Sequence, residues 1–202
     1  MARMARRPKT KDPHTIFSEQ MTRLPSRVKK FLVRKPERSA GYAGTWEFFI
    51  GRYGEAFQLL ADAALRGSST GISPPLFFLC RHSMELSIKW AIVEYAQSAD
   101  EEPAIAGHGL MQLWRELLRQ LAKAGFHGPD QWTDYCGKLV QHIHEIDPDG
   151  ERFRYPMNRA GVSFGYTEGD LRDLAVAQWH IGVFCDAVGE MLQSLGRQDP
   201  AV

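Results

Sequence analysis

From about Thr45 onward, apolar residues recur at the three- and four-residue spacing of helices. Trp46, Phe49, Ile50, Tyr53, Phe57, Leu60 and Ala64 share one face and predict a first helix, which Gly67-Ser68-Ser69-Thr70-Gly71 ends. Ser73 reads as an N-cap, with Pro74 at the first position of a second helix that runs to about Tyr95. Its apolar residues, from Leu76 to Val93, lie on nearly every side, which predicts a central, buried helix. A third helix follows Gly107-His108-Gly109, with Leu110, Leu113, Trp114, Leu117, Leu118 and Leu121 inward and Arg115, Glu116 and Arg119 outward. Asp130 caps a fourth, with Trp132, Tyr135, Cys136, Leu139, Val140, Ile143 and Ile146 on its apolar side. Asp147-Pro148-Asp149-Gly150 is a turn signal, and the chain up to Tyr166 reads as irregular or extended. Thr167 and Asp170 form a capping box, with Asp in place of Glu, before a last helix that reaches about Leu195. In that helix Leu174, Ile181, Val188 and Leu195 recur every seven residues, and so do Leu171, Gln178, Cys185 and Leu192. Two such rows offer an apolar edge to a second subunit. With no strand pair and no internal repeat, the expected fold is an all-α bundle of about five helices.

Composition adds an uneven charge to this picture. Residues 1–40 hold 12 Lys/Arg against 3 Asp/Glu, and the remainder holds 13 against 21. A basic, largely disordered arm over 1–40 is therefore expected before a mildly acidic helical domain over 41–197. The arm reads either as a tether to nucleic acid or another acidic surface, or as a solvated extension. Pro8, Pro13, Pro25 and Pro36 argue against one continuous helix there. The longest apolar run, Pro74 to Cys80, is too short to span a membrane, and no apolar leader opens the chain. Three scattered cysteines, Cys80, Cys136 and Cys185, fit buried thiols in a reduced, cytoplasmic protein.

Candidate chemistry centres on Arg81-His82-x-x-Glu85-x-x-x-Lys89. At about 100° per residue these four side chains fall within one arc of an otherwise apolar helix. Buried charges are costly unless paired, so the stripe must face partners, water or a ligand. It reads as an internal ion network that fixes register, or as the floor of a polar cleft where Arg81 and Lys89 meet a phosphate and Glu85 orients them. His108, at the start of the next helix, and Arg154, after the Asp-Pro-Asp-Gly turn, could complete such a cleft. If Glu151-Arg152-Phe153-Arg154-Tyr155-Pro156 is extended, Arg152 and Arg154 share one side and Phe153 and Tyr155 the other.

At these residues the sequence resembles the HEPN domains, helical proteins common in prokaryotic toxin–antitoxin and phage-defence systems. The resembling pieces are Leu79-Cys80-Arg81-His82-Ser83-Met84-Glu85-Leu86-Ser87-Ile88-Lys89-Trp90-Ala91, Gly107-His108-Gly109-Leu110, Phe153-Arg154-Tyr155-Pro156 and the long last helix. The resemblance implies a HEPN-like bundle that binds RNA or a nucleotide, is often dimeric, and in many members cuts RNA without a metal. Those members carry Arg-x(4–6)-His on one helix. Residues 41–197 lack that motif; Arg172 and His180, with residues 173–179 between them, come near it.

The resulting expectation is an RNA- or nucleotide-binding protein, or a metal-independent endoribonuclease. His82 and His108 would then transfer protons, Arg154 would hold the phosphate, and Arg81, Glu85 and Lys89 would bind the ligand. No cofactor is expected. The rival expectation is a non-catalytic module that dimerises or binds a partner through its last helix, such as an antitoxin or a nucleotidyltransferase-like protein. No metal site is expected. His142 and His144 are two apart and do not face each other on a helix, and no CxxC spacing occurs. The aromatics Trp46, Trp90, Trp114, Trp132 and Tyr135 are expected in the core.

Overall fold

A computed structural model describes residues 44–67, 71–126, 130–165 and 171–196. The chain divides into two units at Ala43 and Gly44, and the described residues belong to the second. The basic arm, the Thr167–Asp170 capping box and the tip residues 127–129 lie outside the described residues.

The second unit is an all-α bundle. Its helices are α1 Trp46–Leu65, α2 Ser73–Ser98, α3 Leu110–Lys123, α4 Gln131–Ile146 and α5 Leu171–Gly196. Among the described residues there is no strand, only an isolated antiparallel bridge between Met157 and Ser163. No described helix is long and apolar enough to cross a membrane.

The second helix of the sequence is the axis of the bundle. It packs chiefly on α5, then on α1 and α3, while α4 closes the far side against α3 and α5. Ile88, Ile92, Leu117 and Ile181 are fully buried where these helices meet. Each such side chain contributes about 1.5–3 kcal/mol relative to exposure. The closest approach is α2 to α5, where a Cβ at Gly189 would overlap the Trp90 ring.

Helix ends follow local chemistry, with one difference. Thr45 Oγ1 accepts from Phe48 N at 3.3 Å, and an Asp130 carboxylate oxygen accepts from Thr133 N at 2.7 Å. At α2 the cap is Ile72, not Ser73, and no side chain bonds there; the prolines in the first turn fix the start instead. At α3 the cap is Gly109, again without a side-chain bond.

Three other expectations are revised. Phe49 is exposed, because the buried face of α1 is centred on Phe57 and Ala61. Trp132 and Tyr135 also reach solvent and stack on each other rather than in the core. The heptad positions of α5 turn inward: Ile181, Cys185, Val188 and Leu192 are buried in this bundle, and its outer row is Val176, Trp179 and Val183.

Candidate functional site

Arg81 and Glu85 sit one turn apart on α2 with side chains only 3% exposed. Arg81 Nη1 donates to Glu85 Oε2 at 3.0 Å. Its Nη2 donates to the His108 carbonyl at 2.6 Å and its Nε to the Asp147 carbonyl at 3.1 Å. One guanidinium thus fastens α2, the entry to α3 and the end of α4 together. Asp147 adds a carboxylate 3.5 Å from Arg81 Nε. Its other oxygen accepts from Arg152 N at 3.1 Å, which winds the chain after α4 into a turn.

The second oxygen of Glu85 is shared. Lys89 Nζ lies 2.9 Å from Oε1 and His108 Nδ1 lies 2.8 Å from it. Burial pushes the Glu85 carboxyl up, but bonds from Lys89 and His108 and the charges of Lys89 and Arg81 outweigh it and hold the group below its ordinary value. An ionised carboxylate only accepts, so His108 carries its proton on Nδ1 in this contact. The His108 side chain is nevertheless 59% exposed. Its Nε2 is therefore left as the working nitrogen, in an arrangement where a buried carboxylate fixes an imidazole's tautomer.

His108 opens onto a cleft of about 820 Å³. One wall is the start of α3, with Gly109 and Gln112. His144 from the last turn of α4 lines it too, and its Nδ1 is buried with no hydrogen-bond partner. The turn after α4 supplies Asp149, Glu151 and Arg154, and the following loop supplies Tyr155, Asn158 and Arg159. Arg154 Nε donates to the Gly150 carbonyl, while Arg159 pairs with Glu151 at 2.8 Å. A smaller apolar cavity of about 350 Å³, between Phe77, Leu139, Ile143, Phe153 and Leu174, has no comparable cluster of polar groups.

The site residues expected from sequence thus fall into three groups. His108 and Arg154 line the cleft. Arg81, Glu85 and Lys89 form the network beneath His108, with Arg81 and Glu85 buried and engaged. His82 turns its ring aside, 4.4 Å from Tyr53 and 5.5 Å from Phe78; burial lowers its pKa, and the charges of Glu85, Arg154, Arg81 and Lys89 still reach it. The segment 152–155 is not extended. Arg152 turns inward to the Ile146 and Gly165 carbonyls, and Phe153 stacks on Phe77, so the two arginines serve different purposes.

Sequence reasoning missed four members of the site. Asp147 and Gly150 stood out as a turn, Asp147 also as a possible partner of the loop arginines but not of Arg81; His144 drew notice only beside His142, and Arg159 carried no spacing signal. Gly150 has φ +72°, and a Cβ there would lie 2.8 Å from Arg81 Nη1, so the turn is shaped to the guanidinium.

Among the described residues no group of three His, Cys, Asp or Glu side chains could hold a metal ion. The three cysteines are free and buried, and burial raises all three thiols, Cys136 to about 12. No family model matches the chain, and neither does any curated protein or solved structure.

Proposed function

We propose that this all-α bundle is a HEPN-like RNA- or nucleotide-binding protein whose ligand occupies the His108–Arg154 cleft. The observation that carries the reading is the Glu85–His108 contact. A buried, ionised carboxylate holds an exposed imidazole in one tautomer at the mouth of a cleft that also contains an arginine. Such a pair suits proton transfer beside a phosphate. Cleavage of RNA without a metal needs little more. His108 Nε2 takes the proton of a ribose 2′-hydroxyl as that oxygen bonds to the adjacent phosphorus. The bond from phosphorus to the 5′-oxygen breaks, leaving a 2′,3′-cyclic phosphate, and the leaving oxygen takes its proton from water in the cleft. Arg154 offsets the charge on the phosphate, and Glu85 acts as a positioning residue.

The test is incubation of the purified protein with total tRNA and mRNA, with and without EDTA. Cleavage that survives EDTA and is lost in His108→Ala supports the nuclease form of the reading. Binding without cleavage supports the binding form. Cleavage abolished by EDTA and restored by Mg²⁺ overturns the assignment of the site.

A second reading rests on a separate surface. Val176, Trp179 and Val183 form an exposed apolar row on α5, beside Trp132 and Tyr135 of α4. His180 Nδ1 meets the Tyr135 hydroxyl at 2.9 Å and fixes the two helices in register at this patch. A row of this kind suits a second copy of the chain or a partner such as an antitoxin or a nucleotidyltransferase-like protein. Sedimentation of Trp179→Ala beside the unaltered chain checks it. Loss of concentration-dependent association supports homodimerisation, and a strict monomer in both removes it.

A further inference from the structure

We infer that the cleft is built for a ligand bearing a single phosphate on an aromatic base, a nucleoside monophosphate, rather than for a polyphosphate or a run of RNA backbone. The inference rests on the nucleotide-binding reading above and narrows it.

Capacity is set by charge. Arg154 and Arg159 share the lining with Asp149 and Glu151, and Arg159 pairs with Glu151 at 2.8 Å. One arginine therefore remains for an anion. Arg154 gives Nε to Gly150, and its two terminal nitrogens make no hydrogen bond among the described residues. His108 lines the same cleft. The uncapped start of α3 adds amide hydrogens, which favour an anion, but these are one contributor among several. A chain of phosphates would bring several charges to a lining where, among the described residues, one arginine is not paired with a carboxylate, its guanidinium lying over the Tyr155 ring. It would also meet the carboxylate of Asp149.

The remaining features fit the rest of such a ligand. A cleft of about 820 Å³ lies within the range that encloses one small molecule. Asp149 is an acceptor suited to an exocyclic amino group. Tyr155 is 54% exposed and has the Arg154 guanidinium 5.8 Å from its ring centroid, so a base stacking there would lie beside the cation that meets the phosphate. His144 Nδ1, buried and without a protein partner, marks a point where a ligand atom or a bridging water completes the hydrogen bonding.

The experiment is titration calorimetry on the full chain with AMP, CMP, GMP and UMP. The free nucleosides, ATP, inorganic phosphate and a single-stranded RNA lacking a terminal phosphate serve as comparisons. At least one monophosphate is expected to bind at least tenfold more tightly than its nucleoside and no more weakly than ATP. Arg154→Ala should weaken that binding about tenfold with an unchanged thermal midpoint. Gly109→Asp should cap α3 yet weaken binding as much, because it places a carboxylate at the mouth of the cleft. RNA or ATP binding more tightly than every monophosphate overturns the single-phosphate inference while the broader reading stands. Inorganic phosphate matching the monophosphates removes the base from it. Absence of binding by every nucleotide and RNA overturns both.

Discussion

Arg81 and Glu85 show what a single buried residue pair does in this protein. Glu85 receives three donors from three residues, so no charge in the group is left without a counterpart. Glu85→Ala would leave Arg81 buried with only the Asp147 carboxylate at 3.5 Å and Lys89 without its partner, and a loss of about 3–5 kcal/mol is expected in urea unfolding. The sign of the pH dependence follows from the same group. Its folded pKa lies below the ordinary value, so its stabilisation is present above roughly pH 4.3 and is lost as pH falls through the folded value. The unaltered chain should therefore lose more stability on acidification than Glu85→Gln, and denaturant midpoints measured from neutral pH down to pH 3 check this. His82 belongs to another neighbourhood although it adjoins Arg81 in sequence. A step of about 100° around the helix carries it to the α1 side, where Tyr53 and Phe78 enclose it.

Among the elements, α2 was the most legible from sequence. Apolar residues on all sides announced a central helix, and charges every fourth residue announced a stripe that needed compensation. Its partners were not legible in the same way. Asp147 is 66 positions from Arg81, and no spacing rule links a helix to a main-chain carbonyl that distant. The heptad rows of α5 were real, but they describe its inner side. The pattern that remains for a partner, Val176, Trp179 and Val183, is short and reads weakly beside two longer rows. Trp132 and Tyr135 were expected inside because they share the apolar face of α4, yet His180 of α5 covers them only in part and both reach solvent. Gly189 did not stand out in sequence either, although it permits the closest helix crossing. Gly189→Ala would force its new methyl into the Trp90 ring. A loss of about 1–3 kcal/mol is expected despite the higher helix propensity of alanine, measured as a lower thermal midpoint.

At the scale of the whole molecule, the charge division along the chain makes its own prediction. Limited proteolysis is expected to cut within residues 1–40, where basic residues and prolines concentrate, and to leave a folded core beginning near Gly41. Mass analysis of the resistant fragment checks this, and an uncut amino-terminal segment would be the contrary result. The bundle itself divides the labour of residue 108 between two atoms. Its carbonyl oxygen receives the Arg81 guanidinium, while its imidazole turns to the cleft. Every amino acid carries that carbonyl, so the Arg81 bond here does not depend on which side chain stands at 108, and a replacement costs the frame only one of the three donors to Glu85. Mutation can therefore exchange the ring for other chemistry without unfastening the helices, which makes position 108 a place where a descendant of this fold could change its reaction and keep its architecture.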